Sequence, residues 1–345
     1  MESIYWVLCW ACHRKCVHCY DDRFRPYVRE ELEAVIAEGE TNFPLILSNL
    51  PEDMSHRGAD GRRRPGRIIL AGGEVLLDGF RERVFFPALE AIRAKWGANG
   101  TARVFVQTTG DLLEECHLEA MLARGVWSIA ISGFDDYHVG MTGDRREELR
   151  ARIDAMMARY GVTKTSLGSP EREDSQGPFY LYFGARPGSW IGELWPRGRT
   201  WLNDISTATY ETNFCARHAG AKGFLDTGLP GSEVAIEPNG NVFPCCLKTK
   251  APLGNLTEEP LLEILDSLRG IGFFESLNRG DPEGMALDAN VSRENFRELS
   301  RVVTATGRTY ENPCIGCDRV FEAKVGTLLR DLRARRMSRH LARAH

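Results

Sequence analysis

Apolar and polar positions change period along the chain in a regular order. A short apolar run, Ile4 to Trp10, reads as a strand, and Arg29 to Glu38 has helical spacing. From Arg67 the two periods alternate. Strand Arg67–Leu70 precedes helix Phe80–Lys95, strand Arg103–Gln107 precedes helix Leu112–Arg124, and strand Val126–Ser132 precedes helix Arg145–Tyr160. Repeated apolar strands alternating with amphipathic helices predict an α/β fold, a parallel sheet with helices outside it. In such folds the reactive residues collect in the loops that follow the strands. Gly177–Arg186 alternates like a further strand, and Ile205–Tyr210 reads as a sixth. Between them, Trp190–Trp201 is aromatic and basic; it reads as core packing, with stacking on a substrate as the alternative. Phe43–Leu50 is an apolar piece that runs into SHRGADGRRRPG. That stretch reads as a solvated loop, or as a basic patch built on Arg62, Arg63 and Arg64.

The pattern shifts at Cys215. Glu233 to Cys246 predicts a β-hairpin turning at Asn239-Gly240. Helix Glu258–Arg269 follows, with Pro260 in its first turn, and then helix Arg293–Thr304. From Val320 the chain is helical and arginine-rich, with Arg330, Arg333, Arg335, Arg336, Arg339 and Arg343. It reads as a solvated helix or as a surface for an acidic partner. The expected division is 1–212, 213–320 and a basic terminal helix, 321–345.

Composition narrows the field. With 345 residues, 43% of them hydrophobic, the chain can fill one large core and a smaller one. A net charge of −4 gives no general case for nucleic acid or an anionic membrane. No apolar run approaches the roughly 18 residues a membrane helix requires. Nor does the N-terminus have the layout of a secretory signal, so a cytoplasmic location is expected. Ten cysteines in a reducing compartment point to metal sites rather than disulfides.

Three of them, Cys12, Cys16 and Cys19, stand at C-x3-C-x2-C spacing just after the first strand. Three thiolates are one short of a closed tetrahedral zinc site or a fully protein-ligated four-iron cluster. A four-iron cluster held by three would keep one iron open. Arg14 and Lys15 make the loop basic, which offsets part of the thiolate charge. A half-built zinc loop or a redox thiol group is the alternative. The motif resembles that of the radical S-adenosylmethionine (SAM) superfamily, with His18 in the aromatic position before the last cysteine. The resemblance implies a partial (β/α)6 TIM-like barrel in which SAM chelates the open iron and is split reductively to give a carbon radical.

It also implies a SAM pocket read from several strand ends. Gly72-Gly73-Glu74 resembles the family's GGE motif, although Val75 stands where the usual proline would be. There the glycines admit the methionine part of SAM, and Glu74 accepts from its ammonium. Thr108 takes the place of a polar residue near the SAM sugar. Ser132 takes that of a serine for the ribose or carboxylate, and Arg145 or Arg146 would pair with the carboxylate. Each has a simpler reading as a cap or turn residue. The acidic pairs Asp21-Asp22 and Asp135-Asp136, the latter with Tyr137 and His138, suit turns and caps or a general base.

Cys215, Cys245, Cys314 and Cys317 suffice for a closed zinc or four-iron site. They resemble the C-terminal α+β extension called SPASM, or twitch when shortened, which implies one auxiliary [4Fe-4S] cluster. Cys246 is left over, as a small buried residue, an alternate ligand or a substrate-facing catalytic thiol; Cys9 and Cys116 read as core. The resemblance implies an oxidoreductase or transferase acting on a small metabolite, with a flavodoxin- or ferredoxin-type electron donor. Three alternatives stay open: arsinothricin-type transfer of a 3-amino-3-carboxypropyl group from SAM to arsenic, modification of a peptide, and a non-catalytic zinc-binding protein.

Overall fold

The computed structural model describes residues 1–166, 177–185, 193–217 and 219–343, with side chains through Arg339. Arg186 and the opening of the aromatic stretch, residues 190–192, lie outside the described residues, as does the side chain of Arg343. The chain forms two compact units. One comprises Trp6–Glu40 and Arg64–Ser206; the other comprises Met1–Tyr5, Thr41–Arg63 and Thr207–His345. The second unit is therefore assembled from three stretches of chain and includes the basic tail.

The first unit is a parallel α/β sheet. Its strands are β1 (Ser3–Val7, whose first residues count with the other unit), β2 (Gly66–Ala71), β3 (Ala102–Thr108), β4 (Val126–Ile131), β5 (Thr163–Lys164) and β6 (Phe179–Tyr182). They lie in the order β1-β2-β3-β4-β6-β5. Ile68 pairs with Val104, Gln107 with Ala130 and Ile129 with Tyr180, all in parallel register. Strands buried on both faces carry unbroken apolar runs, as Ile68–Ala71 and Ile129–Ile131 do. Helices α1 (Arg29–Ser48), α2 (Phe86–Trp96), α3 (Glu115–Ala123) and α4 (Asp144–Arg159) connect the strands, and the short α5 (Gly198–Leu202) follows β6. On α4 the buried residues Leu149, Ile153, Met156 and Met157 form one stripe at helical spacing. This is the expected α/β architecture of a partial barrel, which gathers loops at the strand ends.

Three readings need correction here. Helix α1 does not stop at Glu38 but continues to Ser48 through Gly39 and Pro44. Phe43, Ile46, Leu47 and Leu50 are buried at i, i+3, i+4 and i+7, so tertiary packing overrides the two breakers. Residues 205–210 form no strand; Ser206 instead donates its hydroxyl to the Leu194 carbonyl at 2.8 Å. The arginines at 62–64 are neither a loose loop nor a free patch. Arg63–Arg64 belong to a two-stranded ribbon with His56–Arg57, and Arg63 is ion-paired with Asp53.

The second unit is α+β. Strands β7 (Glu233–Ile236) and β8 (Asn241–Phe243) form the expected antiparallel hairpin, with Val242 opposite Ile236 and Gly240 in the turn at φ +84°. Strand β9 (Gly254–Asn255) pairs with β8. Helices α6 (Leu261–Asp266), α7 (Gly272–Asn278), α8 (Pro282–Asp288), α9 (Arg293–Leu299), α10 (Pro313–Val320) and α11 (Gly326–Arg343) follow. The expected helix to Thr304 ends at Leu299, because Arg301–Val303 turns into a strand paired with Thr309–Glu311. Nor is α11 wholly solvated: Arg336 is buried against Glu259.

Candidate metal centres

Cys12, Cys16 and Cys19 sit on the loop after β1, all with free thiols. The Cys12 amide donates to the Arg25 carbonyl at 2.9 Å, which closes the base of the loop. Cys12 Sγ accepts from the Arg14 amide at 3.4 Å, and Cys16 Sγ accepts from the Val139 amide at 3.5 Å. A hydrogen bond from Cys19 brings the Cys16 thiol down to about 6 despite burial, helped by the charge of His138, the Val139 amide and Arg14. The same bond, then burial, pushes the Cys19 thiol up. Burial pushes the Cys12 thiol up to about 12. Cys12 and Cys16 are buried and each is met by a backbone donor, while half-buried Cys19 bonds to Cys16; three thiols on one loop are a donor set that a metal cluster would fit by replacing their protons.

The loop after β2 presses directly on this one. The Gly73 amide donates to Cys9 O at 3.0 Å and the Glu74 amide to Ala11 O at 3.0 Å. A Cβ on Gly73 would lie 2.1 Å from Ala11 O, and one on Gly72 would lie 2.9 Å from Cys9 O. Close approach of the cysteine loop's own backbone is what requires glycine here. The resemblance has Glu74 and Thr108 facing SAM, whereas the structure turns them to each other. Glu74 is 1% exposed and accepts from Thr108 Oγ1 at 2.8 Å, the Thr109 amide at 2.8 Å, Thr109 Oγ1 at 2.7 Å and the Leu76 amide at 3.0 Å. Ser132 is half-buried, donating its amide to Thr108 O at 2.9 Å and its hydroxyl to the same oxygen at 3.3 Å. Arg145 is exposed. Its neighbour Arg146 reaches the loop after β4, donating to Asp135 O at 3.1 Å and Asp136 Oδ1 at 2.9 Å.

That loop packs on His18. The His18 and His138 rings lie 4.4 Å apart between centroids, and Asp135 holds His138 Nδ1 at 2.8 Å. Burial first, then the His138 charge, brings His18 down to about 4, so its ring is neutral at neutral pH. Burial raises the Asp135 carboxyl. The His138 bond and charge, with the Ala185 amide at 3.0 Å, outweigh it and hold the group below the usual carboxylate range.

Two further anchors were not legible in the sequence. Asp111, after β3, meets His13 Nε2 at 2.7 Å and Arg14 Nε at 3.0 Å, and is also gripped by Arg14 Nη2. Burial raises its carboxyl, but bonds from His13, Thr109 and Arg14 bring it below the usual range. On the other side, Arg199 of α5 is 5% exposed and donates to backbone carbonyls of the cysteine loop. Nothing in TTGDLL or PRGRTW marks these residues, since each acts on groups distant in sequence.

In the second unit, Cys215 lies in the turn Phe214–Ala216, Cys245 follows β8, and Cys314 and Cys317 lie on α10. Asn312 caps that helix, accepting from the Cys314 amide at 2.9 Å and donating to Thr209 O at 2.7 Å and Thr212 O at 3.1 Å. Burial pushes the Cys317 thiol well up, and the charges of Cys215, Asp318, Cys245 and Cys314 add to it. All four are free thiols, a donor set that fits zinc or a four-iron cluster. Cys246 is 1% exposed; burial, then Glu233 and Cys245, hold its thiol protonated. Cys9 is buried as expected, whereas Cys116 is exposed on α3, which corrects its reading as core. Among the described residues no helix is long and apolar enough to cross a membrane.

Residues 229–283 match the SPASM family model, described as an iron-sulfur cluster-binding domain. Among solved structures, BtrN in complex with AdoMet and 2-DOIA is similar at 17% identity and a TM-score of 0.45, over 81% of this chain and 88% of that one. Native anSMEcpe with bound AdoMet is similar at 13% identity and a TM-score of 0.42, over 96% and 98%. SuiB of Streptococcus suis, bound to precursor peptide SuiA, is similar at 12% identity and a TM-score of 0.38, over 76% and 64%. No curated protein matches the chain.

Proposed function

We propose that the protein is a radical SAM enzyme with one auxiliary four-iron cluster, acting on a small metabolite as an oxidoreductase or transferase. The observation that carries this is the pairing of two cysteine sets. One is a three-thiol set on the loop after the first strand of a parallel α/β unit; the other is a four-thiol set in the unit that contains the iron-sulfur domain match. Three protein ligands leave one iron of a cluster for a small molecule, whereas four close the site. Bound at Cys12, Cys16 and Cys19, the cluster would supply the electron that splits a carbon–sulfur bond of SAM.

The chain's own residues hold and enclose that site. Cys12, Cys16 and Cys19 would hold the cluster as thiolates once it displaces their protons, and the amides of Arg14 and Val139 meet two of the sulfurs. Neutral His18, braced by His138 and Asp135, offers a ring face beside the last cysteine. Glu74 and Thr108 tie the loop after β2 to the end of β3, which leaves the backbone of Gly72-Gly73, with Ser132 and Arg145 or Arg146, for the SAM contacts. Cys215, Cys245, Cys314 and Cys317 would hold the auxiliary cluster, which would supply an electron acceptor. The exposed Arg335 and Arg339 of α11 suit an acidic flavodoxin- or ferredoxin-type donor.

The test is anaerobic reconstitution with iron and sulfide, then reduction with SAM. Formation of 5′-deoxyadenosine is expected, and Cys12→Ala abolishes it. Methylthioadenosine in its place would identify aminocarboxypropyl transfer. A colourless zinc protein that leaves SAM intact would overturn the reading.

A further inference from the structure

Six donors from one short stretch, residues 199–203, converge on backbone carbonyls of the cysteine loop. Arg199 Nε donates to Cys16 O at 2.7 Å, Nη1 to Asp22 O at 3.3 Å and Nη2 to Phe24 O at 2.5 Å, while its amide donates to Cys19 O at 2.8 Å. Thr200 Oγ1 donates to His18 O at 2.7 Å, and Asn203 Nδ2 to Val17 O at 2.9 Å. Gly198, at φ +56°, permits this approach, because a Cβ there would lie 2.4 Å from Tyr20 C and 2.6 Å from Cys19 O. The loop has no helix or strand of its own to satisfy these carbonyls. The guanidinium, 5% exposed, places its positive charge against the carbonyl of Cys16, with the exposed Asp22 carboxylate 3.9 Å from Nη1 offsetting part of it.

We infer that Arg199 is the positioning and charge-setting residue of the three-cysteine site: its fork fixes the loop so that Cys16 and Cys19 face one centre, and its charge raises the reduction potential of a cluster bound there. This rests on the radical SAM reading. Reduction adds negative charge to a cluster, so a fixed cation beside its ligands stabilises the reduced form. The fork and the charge separate experimentally. A lysine keeps the charge but is a point donor that cannot span Cys16 and Phe24. A glutamine loses both.

The experiment uses the full-length, reconstituted protein and follows the four-iron signal that changes on addition of SAM, which isolates the three-cysteine site from the auxiliary one. In Arg199→Gln the potential of that signal falls, and a chelator strips the site faster, since an outer-shell partner is worth about 10- to 100-fold in metal affinity. In Arg199→Lys the potential stays near that of the wild type while stripping still accelerates. An Arg199→Gln protein with wild-type potential and stripping rate overturns the inference, as does an equal fall of potential in both variants. If Arg199→Gln does not fold, Arg199→Lys and Asn203→Ala decide by stripping rate, and unchanged rates in both overturn it. A wild-type protein with no SAM-responsive signal would instead sink the functional reading.

Discussion

At the scale of single residues, side chains singled out for contact with a ligand are in several cases holding loops. Glu74 is satisfied by three donors from Thr108 and Thr109 and one amide from Leu76, so its charge is spent inside the protein. The spacing of Cys12, Cys16 and Cys19 was legible because all three lie on one short loop. Asp111 was not, because its partners, His13 and Arg14, lie about a hundred residues earlier. Its lowered carboxyl gives a pH dependence with a definite sign. The group ionises near 3.8 when unfolded and lower when folded, so its stabilisation is complete above roughly pH 5 and is lost as pH falls through the folded value. Asp111→Asn should therefore be less stable than wild type at pH 7, with the gap closing below pH 4. Urea unfolding of the metal-free chain across pH checks this, and a gap independent of pH would refute it.

At the scale of elements, regular periodicity carried the parallel strands, α2 to α4 and the β7–β8 hairpin. It failed where packing overrode local signals. Gly39 and Pro44 look like breakers, yet α1 passes through both because Phe43, Ile46 and Leu47 have a core to enter. The tail failed in the opposite sense, because one arginine of its basic run has left the surface. Arg336 is 2% exposed, and its fork grips Glu259 at 2.5 and 2.9 Å, with a further bond to Ser267 Oγ at 2.7 Å. Removing one partner of such a pair leaves a buried charge uncompensated, at a cost of about 3–5 kcal/mol. Arg336→Met should lower the denaturation midpoint accordingly, and Arg336→Met with Glu259→Leu should recover most of the loss. If the single variant unfolds like wild type, α11 is not fastened by this pair.

At the scale of the whole molecule, the two cysteine sets fall in different compact units. Cys12, Cys16 and Cys19 lie within Trp6–Glu40, whereas Cys215, Cys245, Cys314 and Cys317 lie within Thr207–His345. Each set is anchored by neighbours in its own unit, through Asp111 and Arg199 in one case and Asn312 in the other. Cluster loading should then be separable. The wild type should hold roughly eight irons per chain, two four-iron clusters. Cys12→Ala, which leaves two thiols at its site, and the double variant Cys314→Ala/Cys317→Ala, which does the same at the other, should each retain about half, by iron and sulfide analysis. Their chemistry should divide as well. Cys12→Ala loses SAM cleavage, because the open iron is gone. The double variant Cys314→Ala/Cys317→Ala keeps it and is impaired in forming product, because only the auxiliary site has been removed. If either variant loses both clusters, the two sites depend on each other and the separate ligand sets proposed here are wrong.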